Sequence, residues 1–284
     1  MPEAQVRGVT INYEIIGTSG PFIALTPGSR RPYAELVDLS KALAAQGYRV
    51  LLHDRRNCGA SDVAFDGSAS EHEVWADDLY ELGKQLNALP MVVGGSSAGA
   101  RLAILYAMRH PDGLSGMLLW RLTGGQHAVD YLANNYYGRF IPLAQEGGMQ
   151  KVAESDHFQE VIAARPSNRE KLLAVKPADF IKVMETWRNA FLESAKLPIV
   201  GATEADLRAI TAPVCLVSGN DVIHTPATAL KASKLLPNAE FHDDVVEKRS
   251  DDNLKKDWDR KEWRDAEPAL ARIFGDFLKR HLKK

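Results

Sequence analysis

The sequence predicts an α/β fold, a mostly parallel, doubly wound sheet of about eight strands with an inserted helical cap. Two observations predict it. Short apolar, β-rich runs alternate with amphipathic helical patterns up to about residue 125, which is typical of a parallel sheet covered by helices on both faces. The strand pattern then disappears, and it returns near Pro213. We therefore divide the chain into a first core part (1–126), a helical cap (127–206) and a second core part (207–284).

Local signals place the elements in order. The first two strands are close enough to form a hairpin, and two early helices end at Gly47 and Pro90, since glycine and proline stop helices. A run of mixed charges over residues 247–264 is interpreted as a solvated helix. The predicted strands are Gln5–Val9, Thr10–Ile16, Phe22–Thr26, Tyr48–His53, Met91–Gly94, Met117–Leu122, Pro213–Ser218 and Ala239–Asp243. The predicted core helices are Tyr33–Gln46, Glu71–Leu89, one that follows Ser97, Thr225–Leu236 and Glu267–Lys284.

Composition excludes several classes of protein. The 35 basic and 37 acidic residues give a net charge of −2, so no overall field favours nucleic acid or an anionic membrane. Two cysteines, Cys58 and Cys215, make no disulfide framework, and no apolar run approaches the roughly 18 residues of a spanning helix. With no signal-peptide pattern at Met1–Arg7, we expect a cytoplasmic protein with no nucleic-acid or membrane partner.

The pentapeptide Gly95-Ser96-Ser97-Ala98-Gly99 carries the chemistry. It follows an apolar strand and opens a helix, the setting in which a sharp turn lifts a serine hydroxyl above the sheet edge. The pattern predicts Ser97 as a nucleophile, with the backbone N–H of Ala98 at the helix N-terminus as one oxyanion donor. The alternative is a tight turn in which Ser96 or Ser97 merely caps the helix. A second oxyanion donor is expected from the loop after Phe22–Thr26, as the N–H of Ser29.

The pentapeptide and three further segments resemble the α/β-hydrolase superfamily over nearly the whole chain. Residues 54–61 are similar to the D-x-R-G-x-G-x-S segment of haloperoxidase-like and epoxide-hydrolase-like members, with Asn57 where a glycine is usual. Pro27 replaces the histidine of the usual His-Gly pair. The resemblance implies that Asp221, after the strand Pro213–Ser218, is the acid of a catalytic triad. The three segments are Pro27-Gly28-Ser29, residues 54–62 and residues 213–221.

The histidine of such a triad is the part that the pattern does not place. In related sequences it follows the last strand, but residues 245–284 contain only His281, in the closing helix. Three histidines remain as candidates. His224 is three residues after Asp221, His242 lies at the last predicted strand, and His127 enters the cap. We take His224 as the candidate base because it shares the loop of Asp221, while a pocket-rim histidine is the alternative.

Candidate substrate contacts come from strand ends and the cap. Arg30 and Arg121 follow predicted strands at the edge where open α/β sheets bind ligands, and guanidinium groups suit a carboxylate. Structural ion pairs are the alternative. His127 could point into the cleft, and Tyr137 and Trp187 are the cap aromatics that we expect to face it, although such residues are more often cap core.

Together these features predict a hydrolase of a small ester, lactone or carbonyl-activated carbon–carbon bond, using Ser97, Asp221 and His224. We expect a small-molecule substrate, anionic if the arginines bind it, with no cofactor and no metal because ligand spacing is absent. A homodimer is left open. One alternative is a non-hydrolytic enzyme, a lyase or cofactor-free oxygenase without a standard histidine, and another is a non-catalytic ligand-binding member.

Overall fold

The structure, a computed structural model, describes residues 2–67 and 69–282. The described residues form one sheet of eight strands in the order β1-β2-β4-β3-β5-β6-β7-β8. The pairs β1/β2 and β2/β4 are antiparallel, and the other neighbouring pairs are parallel. This confirms the predicted fold class. The strands are β1 (Glu3–Val6), β2 (Val9–Ile16), β3 (Phe22–Thr26), β4 (Arg49–His53), β5 (Met91–Ser96), β6 (Leu114–Trp120), β7 (Val214–Val217) and β8 (Ala239–His242).

Helices cover both faces of the sheet. Outside the insertion between β6 and β7, the helices are α1 (Val37–Ala44), α2 (Glu71–Gln85), α3 (Ala98–Arg109), α10 (Pro226–Leu235), α11 (Arg260–Asp265) and α12 (Glu267–His281). Alternate strand residues point to opposite faces, so Ile23 packs with α1 and α12, while Ala24 packs with α2, α3 and α10. A 3₁₀ turn, Tyr33–Leu36, precedes α1, and α2 begins with a capping box between Ser70 and Glu73.

The insertion between β6 and β7 is helical and has its own apolar core. Phe140, Phe158, Phe180 and Trp187 are fully buried there, at about 1% exposure or less. Its helices are α4 (Gln126–Ala133), α5 (Phe140–Ala153), α6 (Asp156–Ala164), α7 (Ser167–Leu173) and α8 (Pro177–Glu193), followed by α9 (Glu204–Ala209) before β7. A π-helical turn, Asn134–Gly138, joins α4 to α5. Within residues 2–67 and 69–282, no helix has both the length and the apolar character needed to cross a lipid bilayer.

Residues 247–264 do not form the predicted solvated helix, and that expectation was wrong. Beyond a 3₁₀ turn at Asp251–Asn253, the helical part is the short α11. Lys255 pairs with the loop after β7, where its carbonyl accepts from the N–H of Val222 at 2.9 Å. Trp263 is buried. The charged residues 247–264 therefore include a segment that packs against the end of the sheet.

Candidate active site

Ser97 occupies a strained turn between β5 and α3. Its φ of 54° and ψ of −109° are unusual for a residue with a side chain. A Cβ at either Gly95 or Gly99 would collide with the backbone oxygen of Thr26, so β3 and the turn pack closely only because both residues are glycine. The N–H of Ser97 donates to the carbonyl of Trp120 at 3.1 Å, which ties the turn to β6.

Three side chains meet at this turn. The Ser97 Oγ lies 2.8 Å from Nε2 of His224, and Nδ1 of His224 lies 2.9 Å from both carboxylate oxygens of Asp221. With Nδ1–H donating to Asp221, Nε2 is left as the acceptor for the Ser97 hydroxyl. The three side chains are at most 6% exposed. The arrangement has the geometry in which a serine loses its proton to an imidazole.

The acid and the base share a single turn after β7. One oxygen of Asp221, Oδ1, accepts from the backbone N–H of Ile223 at 2.9 Å and of His224 at 3.0 Å. The carboxylate therefore orients the chain that carries its own partner histidine. A Cβ at Gly219 would collide with the backbone of His224, so glycine allows the turn to close.

Burial and charge control the protonation of this pair. Burial chiefly, and then the Arg121 guanidinium, lower the pKa of His224 to about 4, while the hydrogen bond to Asp221 opposes them. Burial alone would raise the pKa of Asp221, but the His224 hydrogen bond and the charges of His224 and Arg121 outweigh it and hold this pKa below its ordinary value. At neutral pH the site therefore contains a neutral imidazole and an ionised carboxylate.

Two backbone segments flank the Ser97 hydroxyl. Ala98 is the first residue of α3, so its N–H has no acceptor within that helix. The loop after β3 passes close by, since a Cβ at Gly28 would lie 3.4 Å from the Cβ of Ser97. Ser29, the next residue, has a φ of 45°. Both predicted oxyanion donors, Ser29 and Ala98, therefore belong to segments that adjoin the nucleophile.

A cavity of about 670 Å³ opens above Ser97 and His224. Arg121 and His127 line it, as does the loop Pro27–Ser29. Its far wall comes from residues 256–267, including Trp258 and Trp263. Sequence reasoning missed these two tryptophans. Their only signal was that two large aromatic side chains occur within an otherwise charged run.

Three predicted substrate contacts do not line this cavity and need correction. The side chain of Arg30 is 7% exposed, pairs with Glu71 at 2.7 Å and lies beside the ring of Tyr137. Tyr137 and Trp187 belong to the core of the cap, and the indole N–H of Trp187 donates to the carbonyl of Ala69 at 2.9 Å. Tyr137 and Trp187 are buried because the helices of the insertion pack against one another, and Arg30 is held away from the cavity by its ion pair with Glu71.

The two other candidate bases are His242 and His127. His242, at the end of β8, lies 3.0 Å from Glu240, and His127 lines the cavity. Among the residues that the structure describes, the hydrogen bond to the Ser97 hydroxyl comes from His224 and from neither of these. In the same described part, no three His, Cys, Asp or Glu side chains are grouped to hold a metal ion.

Fold and site together define an α/β-hydrolase. The profile of the serine aminopeptidase S33 family matches residues 21–242, and the chain belongs to that family of hydrolases. Proline iminopeptidases are among its relatives. The one from Lacticaseibacillus rhamnosus is 26% identical over 244 residues, covering 76% of this chain and 78% of that protein. The one from Lactobacillus helveticus is 30% identical, with 78% and 82% covered.

Solved structures agree on the fold. An enol-lactonase from Burkholderia xenovorans superposes with a TM-score of 0.64 at 17% identity, covering 98% of this chain and all of that one. A meta-cleavage product hydrolase from Pseudomonas fluorescens gives 0.65 at 16% identity, with 99% and 98% covered. These sequence identities are too low to infer a shared substrate, so the two superpositions support a shared fold only.

Proposed function

We propose that this protein is a serine hydrolase of small esters or lactones in which Ser97, His224 and Asp221 form the catalytic triad. The observation that carries the proposal is the 2.8 Å contact between the Ser97 hydroxyl and Nε2 of His224. Asp221 holds the opposite ring nitrogen at 2.9 Å. A serine hydroxyl is a weak nucleophile without such a base, and this base is oriented by its own turn.

The reaction follows from these contacts. Ser97 Oγ attacks the carbonyl carbon while its proton passes to Nε2 of His224, and the carbonyl oxygen becomes an oxyanion. The N–H groups of Ser29 and Ala98 are the proposed donors to that oxygen. His224 then returns the proton to the leaving group as the carbon–oxygen bond breaks. Water, deprotonated by the same imidazole, releases the acyl group and restores Ser97.

The cavity supports a small-molecule substrate. Its volume of about 670 Å³ lies within the range of small-ligand sites, and it opens directly onto the proposed nucleophile. His127 lines it and is proposed as a substrate contact. A carbonyl-activated carbon–carbon bond remains within this chemistry, because the same attack on a carbonyl can expel a stabilised carbanion.

A second candidate is cleavage of an N-terminal prolyl amide. The relatives named proline iminopeptidase support it, since they align over three quarters of the chain. Carboxylates also line the cavity, among them Glu35 and Glu267, and could meet a substrate amine. The non-hydrolytic alternative rested on a missing base, and the position of His224 weakens that argument.

The test is labelling with a fluorophosphonate followed by intact-mass analysis. We expect one adduct on the wild-type protein and none on Ser97→Ala. A panel of 4-nitrophenyl esters, γ-lactones and prolyl 4-nitroanilide then separates the two candidates. An adduct that persists in Ser97→Ala, or no adduct on folded wild-type protein, would refute the nucleophile.

A further inference from the structure

Arg121 is a buried cation at the inner end of the cavity. It follows β6 with a φ of 59°, a strained value for arginine, and it is 5% exposed. Its Nη1 lies 3.4 Å from Ser96 Oγ, and its Nη2 lies 3.3 Å from His224 Nδ1 and 3.9 Å from Asp221 Oδ2. Its Nε has no partner within the described residues.

These contacts satisfy the guanidinium only in part. The ring nitrogen Nδ1 already carries the proton that it donates to Asp221, so it offers no lone pair to Arg121. The remaining contacts exceed the usual 2.7–3.2 Å range for N–H···O bonds. A buried guanidinium without a close acceptor is costly, and in native proteins such a group calls for a partner.

A second unpartnered donor stands beside it. Trp258 and Trp263 cover the Arg121 guanidinium, with ring centres 4.5 and 5.3 Å from its central carbon. The buried indole N–H of Trp263 also has no acceptor in the described part of the chain. Both tryptophans and Arg121 line the cavity. This end of the cavity is therefore lined by residues that carry a positive charge and unpartnered hydrogen-bond donors.

Three carboxylates near this end act on Arg121 but do not satisfy it. Burial holds the pKa of Arg121 below its ordinary value and outweighs Asp221, Glu35 and Asp257, each of which raises this pKa. Asp221 is held by His224 and Ile223. Glu35, which lines the cavity and is exposed, pairs with Arg31 at 3.3 Å. The other lining carboxylates are half-buried or exposed and share the cavity wall with three exposed basic residues. They are Asp38, Asp257 and Glu267, and the basic residues are Lys256, Arg260 and Arg264.

We propose that Arg121, covered by Trp258 and Trp263, binds a carboxylate of the substrate, so that the preferred substrate is an ester or lactone that carries a free carboxylate. This inference rests on the proposed function. A guanidinium presents paired donors that match a carboxylate, and tryptophan rings hold its plane. Arg121 and Ser97 contact opposite nitrogens of one imidazole, so a carboxylate a few bonds from the scissile carbonyl spans the two groups.

Binding of this carboxylate also affects turnover. The charge of Arg121 opposes formation of the His224 imidazolium, which must appear when Ser97 loses its proton. A substrate carboxylate offsets that charge. We therefore expect the substrate carboxylate to raise kcat as well as to lower KM.

The test compares mono(4-nitrophenyl) glutarate with its methyl ester, which has the same chain without the charge. Rates are corrected with Ser97→Ala as the background. In the wild type we expect the acid ester to have a kcat/KM at least about tenfold higher. We expect Arg121→Gln to remove this preference and Arg121→Lys to retain part of it. The control Arg208→Gln, which removes an exposed charge outside the cavity, should leave the preference within about twofold.

Two results would overturn the inference: equal kcat/KM for the two esters in the wild type, or an equal fall for both in Arg121→Gln.

A binding measurement tests the carboxylate site without turnover. Glutarate should raise the Tm of Ser97→Ala but not of the Ser97→Ala, Arg121→Gln double variant. If glutarate binds through Arg121 but Ser97→Ala hydrolyses both esters normally, the proposed nucleophile fails and the carboxylate site stands. If Ser97 is required and glutarate shifts neither Tm, the carboxylate site fails.

Discussion

The pH dependence of activity tests the environment of His224. The imidazole must be neutral to accept the Ser97 proton, and burial first and Arg121 second lower its pKa to about 4. Because this pKa is lowered, His224 stays neutral as the pH falls below the usual histidine range. We therefore expect kcat/KM to hold through pH 6.5 and to fall only as the pH passes through about 4.

The size of the effect follows from the two pKa values. At a pH of about 5.5, an imidazole with a pKa of about 4 is roughly 97% neutral, whereas one with a pKa of about 6.5 is roughly 9% neutral. The wild type should therefore retain about ten times the activity that an unperturbed histidine would allow at that pH.

Arg121→Gln removes the nearest cation, which lies 3.3 Å from Nδ1 of His224. Unit charges about 4 Å apart interact by about 4 kcal/mol at an effective dielectric constant near 20, and local relaxation reduces this. We expect the acid limb of the pH profile, where kcat/KM falls at low pH, to move upward by roughly 1–2 pH units. Arg208→Gln, an exposed arginine outside the cavity, is the control and should leave the acid limb in place.

The assay is kcat/KM for methyl 4-nitrophenyl glutarate between pH 3.5 and 8, with 4-nitrophenol read at its isosbestic wavelength. Samples returned from each pH to neutral show whether loss is reversible, and circular dichroism reports folding. A wild-type limb near pH 6.5, or an Arg121→Gln limb that does not move, would refute the assigned environment of His224.

Three predictions concern stability, each measured by urea unfolding. Gly99→Ala forces a methyl group into the backbone of β3 and should cost at least about 3 kcal/mol, while Gly116→Ala, where a Cβ would meet its neighbours at 3.4 Å or more, costs less than half as much; equal losses would contradict this close approach. Asp78→Ala leaves Arg56 buried without the carboxylate that it contacts at 2.6 and 2.7 Å, and should cost about 3–5 kcal/mol. A loss under about 1 kcal/mol would mean that the pair contributes little. Both ring nitrogens of His53 lack partners among the described residues, so His53→Leu should stabilise by about 1 kcal/mol. Burial lowers the pKa of His53 to about 3, so as the pH falls from 6.5 the unfolded wild-type chain is protonated at this residue before the folded one, which destabilises the wild type. The stability advantage of His53→Leu should therefore grow as the pH falls from 6.5 towards 3, and an advantage that stays constant would contradict this prediction.

Much of the fold was readable from periodicity, because buried parallel strands and amphipathic helices leave distinct patterns. Strand ends were less accurate. The predicted strand Met117–Leu122 extends beyond the observed end of β6, because Arg121 turns the chain at a positive φ, which is not predictable from an arginine in the sequence. Residues 247–264 were misread because contacts with the loop after β7, rather than local periodicity, determine their conformation.

The sequence likewise predicted some residues of the candidate site and not others. A local motif predicted Ser97, and the order of elements predicted the place of Asp221. Spacing alone could not choose between His224 and His242, because the choice depends on where each ring points at the sheet edge. Arg30 was misassigned because its partner, Glu71, lies on another element, and such an ion pair has no local sequence signature.

The central claim is that His224, and not His242 at the end of β8, activates Ser97. The most direct measurement compares kcat for a neutral 4-nitrophenyl ester in His224→Ala and His242→Ala, with folding verified by circular dichroism. We expect His224→Ala to lose activity by a factor on the order of 10³ or more, and His242→Ala to stay within about twofold of the wild type. Comparable activity in His224→Ala, or a large loss in His242→Ala alone, would contradict the account.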